Sequence, residues 1–330
     1  MTRLKKALLV ILSLLLICLS AICGCGDAVP SSSSVKVYKG FSVHFLDVGQ
    51  GDAIFIRLPD GKNMIIDCGA NDLQGKNYQL IKNYLNAYSV KKIDYLVLTH
   101  PDGDHVGNAE QVLNEFSVGC AYIPNINQSL YENFPEHQAI LGVIERKGIE
   151  SQYSDKFKYI VGEDYGFAFL SPLPINFPDS SYAELNAQTV ASDSAINNLS
   201  PIIYAEISGV RFLFTGDAEK SQEEIVLNNY SAGTYQSYFI GKGININLEN
   251  IDFLKVAHHG SKDATKQEFL NLIKPKSAVI SLGGNNYYGH PTSEVLIRLE
   301  TVNPDYNLYR TDVFGTVSVY KNAKGQVKVD

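Results

Sequence analysis

Three apolar segments of this 330-residue chain each run directly into histidine or aspartate, and this repetition limits the folds the chain can adopt. "IDYLVLTH" continues into "PDGDH", "VRFLFTGD" ends in an aspartate, and "IDFLKVAHHG" ends in two adjacent histidines. Apolar runs of this length predict buried strands, whose ends can present side chains to a shared crevice. One such cluster is weak evidence, because an aspartate after glycine often belongs to a turn or a helix cap. Three clusters together predict a metal site formed by His100, Asp102, Asp104, His105, Asp217, His258 and His259.

Strand-like and helix-like segments alternate through two similar halves of the chain. "PIIYAEI" and "VRFLFTGD" predict a hairpin across "SG", while "NYQLIKNYLNAYS" and "AEKSQEEIVLNN" have helical spacing. This alternation predicts an α/β (α+β) fold in which two sheets pack together with helices outside. The polar stretch 176–198 is long for a connection, and such loops are usually functional or disordered.

The N-terminal residues have the features of a secretory signal. Arg3, Lys5 and Lys6 precede the uncharged run 7–23, and "ICGC" resembles a bacterial lipobox ending at Cys25. We therefore predict a lipoprotein signal peptide at 1–24, a Ser-rich tether at 25–39, a hydrolase domain at 40–330, and lipidation of Cys25. An uncleaved membrane anchor is the alternative. Both interpretations predict an extracytoplasmic domain held at the bacterial cell membrane.

Cysteine content and charge restrict the remaining possibilities. Cys68 and Cys120 are the cysteines beyond the signal, and outside the cell they could pair, although the sequence does not show that they meet. The whole chain has a formal charge of −7, and residues 1–24 hold three basic and no acidic residues, so the remainder carries −10. That charge disfavours a protein that coats nucleic acid non-specifically.

The motifs resemble those of a known family. "THPDGDH" resembles the opening metal-binding motif of the metallo-β-lactamase fold, and "FLFTGD" and "VAHHGS" resemble its later ligand motifs. "HFLDVGQGDAIFI", "MIIDCG", "YYGHPTSEVL" and "RTDVFGTVSV" make residues 40–320 similar to the hydrolase domain of the ComEC competence proteins, without the membrane channel of that family. The resemblance implies a four-layer αββα sandwich with two divalent metal ions between the sheets.

The resemblance also implies a role for each residue of the candidate site. His100 and Asp102 would bind the first ion, Asp104 and His105 the second, and Asp217 both. His258, rather than His259, would complete the second site, leaving His259 to face the substrate. A hydroxide bridging the ions would be the nucleophile, held or deprotonated by Asp102 or Asp104. Many members of this fold use a further histidine before the bridging aspartate. Here His137 is in the wrong context for that role, and "NNLS", with Asn198 and Ser200, stands in its place.

The donor set suggests which metal is preferred. Carboxylate oxygens suit hard ions and imidazole nitrogens suit borderline ions. Asp102 stands where many relatives have histidine, so the site is rich in oxygen. We therefore expect the cofactors to be two divalent ions, with Mn²⁺ preferred over Zn²⁺.

Several other residues are weaker candidates for contact with the substrate or with a ligand. Asp67 is expected to orient a ligand histidine. Asp47, Gln50 and Asp52 flank a Gly-rich turn, and such a turn needs no function. His290 precedes a proline and could be an ordinary loop residue, while Tyr287 and Tyr288 could stack on bases or simply pack. The lysines Lys255, Lys262 and Lys266 could offset the acidic charge.

Three functions fit these observations. The leading hypothesis is a metal-dependent phosphodiesterase or nuclease that acts on single-stranded DNA, with DNA uptake as its context. The second is a metallo-hydrolase of a lactone, thioester or β-lactam, which the missing third histidine disfavours. The third is a non-catalytic binding lipoprotein of a DNA-uptake or envelope complex. The expected partners are DNA or another phosphodiester and, through the lipid anchor, the membrane.

Overall fold

Two β-sheets face each other in the computed structural model, which describes residues 29–126, 132–172 and 192–330. The predicted signal peptide, Cys25 and most of the stretch 176–198 lie outside the described residues. The strands are β1 Ser42–Phe45, β2 Ala53–Arg57, β3 Asn63–Cys68, β4 Lys92–Val97, β5 Ser117–Ile123, β6 Glu150–Tyr153, β7 Tyr159–Gly162, β8 Tyr165–Phe169, β9 Ile203–Ile207, β10 Val210–Phe214, β11 Phe253–Lys255, β12 Ser277–Ile280, β13 Asn307–Arg310, β14 Val317–Lys321 and β15 Val327–Val329.

Each sheet is part parallel and part antiparallel. The first sheet has the order β15-β14-β1-β2-β3-β4-β5-β6, with parallel pairing from β3 to β6. The second sheet has the order β13-β12-β11-β10-β9-β8-β7, with parallel pairing from β10 to β13. The parallel strands carry the predicted ligand clusters at their C-terminal ends, so the topology brings those ends to one edge of the molecule.

Helices cover the outer faces of both sheets. They are Lys76–Ala87, Gly103–Val106, Ala109–Glu115, Pro135–Lys147, Asp193–Asn197, Lys220–Ser231, Thr234–Phe239, Gln267–Ile273, Ser293–Val302 and Thr311–Phe314, with 3₁₀ turns at Ile240–Lys242 and Ala257–Gly260. Leu85 and Val112 belong to a core outside the first sheet, and Phe239 and Leu270 to a core outside the second. Within the described residues, no helix is long and apolar enough to cross a membrane.

A third apolar core fills the space between the sheets. Strand β3 shows why the sheets bury both faces: Met64 and Ile66 point into this central core, while Ile65 between them points to the helices. Alternate residues of a strand face opposite sides, so a strand buried on both sides is apolar throughout. The predicted αββα sandwich is therefore confirmed.

The two cysteines of the folded part are not joined. Cys68 on β3 lies in the outer core and Cys120 on β5 in the central core, with β4 between their strands. Two strand spacings exceed the separation that a disulfide can bridge. Both thiols are buried and free.

The predicted hairpin before Asp217 is confirmed. Strands β9 and β10 pair antiparallel from Ile203↔Phe214 to Ile207↔Val210. Ser208 and Gly209 have φ values of 50° and 73°. Positive φ at both central residues belongs to a two-residue turn that matches the twist of the flanking strands. The hairpin fixes the strand that leads to Asp217.

The described part of the segment interpreted as a tether lies against the domain. The Pro30 carbonyl accepts a 2.7 Å hydrogen bond from Asn83. The Tyr38 backbone N–H donates to the Tyr88 hydroxyl at 3.1 Å, and Lys36 pairs with Asp330. Residues 30–38 thus contact the helix Lys76–Ala87, the following Tyr88 and the C-terminal Asp330, and a boundary at residue 39 stays a prediction.

Glu223 connects the outer helical layer to the histidine segment. It lies on the helix Lys220–Ser231, is buried, and accepts hydrogen bonds from the backbone N–H groups of Thr265 and, at 2.9 Å, Lys266. The Thr265 hydroxyl in turn accepts from the backbone N–H of Ala257 at 3.3 Å, at the start of the turn Ala257–Gly260. Burial raises the pKa of Glu223 to about 7, although the N–H groups of Lys266 and Thr265 oppose the shift.

We predict that Glu223 makes the stability of the protein depend on pH. Its pKa is raised above the ordinary value of 4.5, so its stabilising contribution is complete below pH 4.5 and is lost as the pH rises through 7. The difference is on the order of 3 kcal/mol. The free energy of unfolding, measured with denaturant on chelator-treated protein from pH 4.5 to 8, should fall more steeply with pH in the wild type than in Glu223→Gln. Parallel profiles would contradict the assignment.

Candidate metal centre

The predicted ligands lie at one edge of the sandwich, where three loops leave the ends of neighbouring strands. His100 and the segment 102–105 follow β4, Asp217 follows β10, and the two adjacent histidines follow β11. His100, His105, Asp217 and His259 are buried there, while Asp102, Asp104 and His258 are partly exposed. The opening between the loops therefore has a buried base and a rim that solvent reaches.

Four side chains converge on one point of this edge. The His105 Nε2 atom lies 3.3 Å from His259 Nε2 and 3.2 Å from Asp217 Oδ1. The His259 Nε2 atom lies 3.4 Å from both Asp104 Oδ2 and Asp217 Oδ2. Two imidazole nitrogens and two carboxylates around a single point form a donor set suited to one divalent ion. We refer to these four residues as the second ligand group.

A first ligand group shares Asp217 with the second. It consists of His100, Asp102 and Asp217: His100 Nε2 is 3.6 Å from Asp102 Oδ2, and potential ligand atoms of His100, His105 and Asp217 lie within 4.8 Å of one another. His100 Nδ1 is within hydrogen-bonding distance of the Thr99 and Ser200 hydroxyls, at 3.0 and 3.1 Å, which directs Nε2 to the cluster.

The residues fit a bound metal. Among the described residues, His100 Nε2 and Asp217 Oδ1 are buried polar atoms that make no hydrogen bond. Buried polar groups of folded proteins normally have a partner, and an ion is one explanation for such atoms. The donor set of three imidazoles and several carboxylates is the kind that transition-metal sites use.

The two adjacent histidines differ from the expected arrangement. His259 is buried, and its Nδ1 atom donates to the Ser281 carbonyl at 2.7 Å, so its Nε2 atom faces the second ligand group. His258 is 25% exposed, with Nδ1 3.4 Å from Glu219 Oε1 and Nε2 3.8 Å from Asp217 Oδ2. His259 thus occupies the place that the sequence pattern gave to His258. The reason is local: β11 ends at Lys255 and both histidines have positive φ, 48° and 52°, so extended-strand alternation does not apply.

Asp67 holds the opening motif in place. Its carboxylate accepts hydrogen bonds from the Thr99 backbone N–H at 2.8 Å and the Thr99 hydroxyl at 2.7 Å, and it lies 2.8 Å from His105 Nδ1. The contact with Nδ1 fixes the orientation of the His105 ring, so its Nε2 atom faces the other ligands.

The Gly-rich turn packs directly against the opening motif. Gly51 has φ 129°, and a Cβ atom there would lie 2.1 Å from the Asp104 carbonyl oxygen, so only glycine fits. The next residue, Asp52, donates its backbone N–H to that carbonyl at 3.2 Å. Gln50 accepts from the Gly283 N–H at 3.4 Å, and Asp47 is exposed and accepts from the Gly49 N–H at 3.4 Å. Of the three polar turn residues, Asp52 reaches the ligand cluster and Asp47 caps the turn.

Lys255 has a larger role than the sequence pattern indicated. It is fully buried, pairs with the Asp52 carboxylate, and donates to the Gly216 carbonyl at 3.2 Å. Its Nζ atom is 3.9 Å from Asp217 Oδ1, while Asp52 Oδ1 is 3.7 Å from His259 Nδ1. A lysine inside the apolar strand run "IDFLKVA" was the signal, because a buried strand position rarely holds an unpaired charge.

The polar residues of the "NNLS" segment contact the site. The Ser200 hydroxyl lies 3.1 Å from His100 Nδ1 and accepts from the Asp217 backbone N–H at 3.1 Å. Asn198 accepts from the Glu219 N–H at 3.0 Å and therefore supports the residue that contacts His258. Glu219 itself had no distinctive sequence signal. His137 lies on the helix Pro135–Lys147 and is outside both ligand groups.

His290 lies at the rim of the site. Its ring centroid is 5.6 Å from that of His258, in an edge-to-face contact, and 5.7 Å from that of Tyr288, on which it stacks. Lys262 and Lys266 follow the histidine turn, and the Lys266 ammonium donates to the Lys262 carbonyl at 2.8 Å.

The charges of the second ligand group reinforce one another. Burial alone would lower the pKa of His105 and His259, but Asp217 and neighbouring carboxylates raise the pKa of His105 well above its usual range and that of His259 to about 9. Burial alone would raise the pKa of Asp217, and the two histidines instead lower it well below its usual range. Histidine ligands must be neutral, so binding of an ion releases these protons.

Comparison with known proteins identifies the family. The sequence profile of the Metallo-beta-lactamase superfamily matches residues 46–284. This chain belongs to that superfamily. It is 30% identical over 301 residues to ComE operon protein 3 of Bacillus subtilis, covering 87% of this chain and 34% of that protein. It is 25% identical over 302 residues to competence protein ComA of Neisseria gonorrhoeae, covering 92% and 34% respectively.

The chain thus spans about a third of the length of these curated relatives. A solved metallo hydrolase from the archaeon Ignicoccus hospitalis aligns with a TM-score of 0.44 at 14% identity, over 85% of this chain and 100% of that one. The similarity to ComEC-type competence proteins expected from the motifs is confirmed. With the superfamily and the His/Asp cluster, the protein is a metallo-hydrolase of this fold.

We predict that Lys255 is required for stability because it compensates Asp52. Lys255→Met would leave that carboxylate buried without its cation and lower the free energy of unfolding by about 3–5 kcal/mol. The double variant Asp52→Asn/Lys255→Met should lose less stability than Lys255→Met, since it no longer has the unpaired Asp52 carboxylate. Lys220→Met, in an exposed pair with Glu224, is the matched control and should change little. Equal stability of Lys255→Met and Lys220→Met in denaturant unfolding would contradict the prediction.

Proposed function

We propose that the protein is an extracytoplasmic metal-dependent phosphodiesterase that cleaves single-stranded DNA. The observation that carries this proposal is the oxygen-rich first ligand group. His100 is the one histidine of this group. Many superfamily members have a further histidine where this chain has the "NNLS" segment, and here Ser200 of that segment contacts His100 at Nδ1. Phosphodiester oxygens are hard ligands and match ions held in such a group. A relative named as a competence protein adds support for a role in DNA uptake.

The ligand assignment follows from the two groups. We assign His100, Asp102 and Asp217 to one ion and Asp104, His105, Asp217 and His259 to the other. When bound, the ions supply charge stabilisation on the phosphate and lower the pKa of a bound water, which is the chemistry of two-metal hydrolases. Asp102 and Asp104 have side chains 37% and 32% exposed, so they border the opening where the attacking water and substrate enter. There they can orient that water or accept its proton.

His258 is free to act on the substrate because His259 takes the ligand position. Its side chain is 25% exposed, with Nε2 3.8 Å from Asp217 Oδ2 and Nδ1 3.4 Å from Glu219 Oε1. Asn197 donates to the Glu219 carboxylate at 3.0 Å and keeps it in place. A protonated histidine in this position can donate a hydrogen bond to a phosphate oxygen, or donate its proton to the sugar oxygen that leaves as the P–O bond breaks.

The acidic charge of the chain does not prevent binding of a short substrate. A short DNA strand needs positive charge only near the few phosphates at the opening, and two dications would offset four negative charges there. Lys262 is exposed on the segment after the histidine turn and adds positive charge at the rim. A small phosphodiester or a single strand fits this arrangement better than a long duplex.

The alternative functions are less well supported. Hydrolases of lactones, thioesters or β-lactams would be expected to have the additional histidine that this site lacks. A non-catalytic binding lipoprotein would not need the buried, mutually supporting ligand groups. The anchor through lipidated Cys25 is part of the proposal, and it lies outside the described residues.

The proposal predicts a specific metal preference. Purified protein should cleave oligothymidylate faster with Mn²⁺ than with Zn²⁺, because the first ligand group offers one nitrogen and mostly carboxylate oxygen. Asp102→His should shift the preference towards Zn²⁺, and Asp102→Ala should lower kcat by roughly a hundredfold or more. Turnover must be compared at saturating metal, because Zn²⁺ generally binds more tightly.

Asp305→Ala, at an exposed position before β13, is the matched control and should keep wild-type turnover. Nitrocefin and a lactone, assayed in parallel, test the second class of hydrolase. Full activity of Asp102→Ala on DNA, or hydrolysis of nitrocefin without cleavage of DNA, would overturn the proposal.

A further inference from the structure

The loop that carries Tyr287 and Tyr288 is fixed in place. The Asn286 side-chain amide donates to the Gly283 carbonyl at 3.0 Å and to the His290 carbonyl at 2.8 Å. The Asn286 side-chain oxygen accepts from the His290 backbone N–H at 2.9 Å, so one side chain closes the loop across its base. The Thr292 N–H donates to the Gly260 carbonyl at 2.9 Å and ties the loop to the histidine turn. The aromatic residues at its tip therefore have a defined position relative to the ligand groups.

These aromatic residues form a row of rings that leads from the ligand groups into solvent. His258 lies beside Asp217, and His290 meets it edge to face with centroids 5.6 Å apart and an interplanar angle of 76°. Tyr288 stacks on His290 at 5.7 Å and 24°. Tyr288 is 69% exposed and its neighbour Tyr287 is fully exposed. Large aromatic side chains held out on an anchored loop beside an active centre indicate a recognition surface.

We propose that Tyr288 and His290 form a stacking subsite for an unpaired nucleobase next to the phosphodiester that is cleaved. This inference rests on the proposed phosphodiesterase function and specifies its substrate as single-stranded. A nucleobase that stacks on Tyr288 must expose its face, and in a duplex both faces are covered by neighbouring bases. Stacking is tolerant of sequence, because every base has a π-face. The anchored loop lowers the entropy cost of binding, since the platform is already ordered.

The position of the row favours a nucleic acid over a protein partner. The row begins beside the ligand groups, where His258 Nε2 lies 3.8 Å from Asp217 Oδ2, and His290 contacts both His258 and Tyr288. A base on Tyr288 is therefore separated from the ligand groups by the rings of His290 and His258, a distance that a DNA strand with a phosphate at the ligand groups can span. A protein partner would have no such reason to reach into the centre.

The test compares two oligomers that share phosphates and differ in bases. Mn²⁺-loaded protein is given a labelled ten-nucleotide oligothymidylate and an abasic tetrahydrofuran oligomer of the same length. Wild type should show a kcat/KM roughly 5- to 100-fold higher for oligothymidylate, the factor that stacking of one base supplies. Tyr288→Ala should lose this preference, with little change on the abasic oligomer, and Tyr288→Phe should retain it. Tyr159→Ala, another exposed tyrosine on the remote edge strand β7, should behave as wild type.

The possible results separate the two proposals. If wild type cleaves both oligomers equally, or Tyr288→Ala keeps the preference for oligothymidylate, the stacking subsite is overturned, and the exposed tyrosines would then serve to bind another partner. If neither oligomer is cleaved, the phosphodiesterase function fails. Fluorescence anisotropy of the same oligomers then decides the subsite: binding that depends on both bases and Tyr288 supports it, and equal binding of the two oligomers overturns it.

Discussion

The arrangement of the site depends on the buried carboxylate of Asp217. It belongs to both ligand groups, and its charge is balanced by His105 and His259, with the Lys255 ammonium 3.9 Å from its Oδ1 atom. A buried carboxylate without such partners would be strongly destabilising. The opposing pKa shifts of Asp217 and the two histidines express the same balance. Around this one group, the fold brings the ends of strands from both sheets to the same edge.

The hydrophobic pattern was sufficient to predict the layers of the fold. The apolar runs of β4, β10 and β11, the hairpin at Ser208 and Gly209, and the helix Lys76–Ala87 all have a clear period or turn signal. Strands such as β6 and β7 did not stand out. Glu150–Tyr153 has a mostly exposed, polar sequence, and Tyr159–Gly162 is a short edge strand. Such segments become strands because a neighbouring strand offers hydrogen bonds, which a single sequence does not reveal.

The candidate site was less predictable in its details than in its location. The ligand clusters could be located because they follow apolar runs. The roles of His258 and His259 depend on two consecutive positive φ values, a conformation that no local sequence rule requires of histidine. Lys255 and Glu219 act through partners far along the chain, Asp52 and Asn198, so their roles appear only in three dimensions. Long-range pairs of this kind are the part of a site that periodicity does not encode.

The central claim is that two ions share Asp217 and that His259, not His258, completes one of the two groups. Metal analysis of Mn²⁺-loaded protein after removal of free metal tests it most directly. Wild type should retain two ions per chain, His259→Ala about one, and His258→Ala two, since His258 lies outside the second ligand group. Loss of an ion from His258→Ala with full retention by His259→Ala would contradict the account.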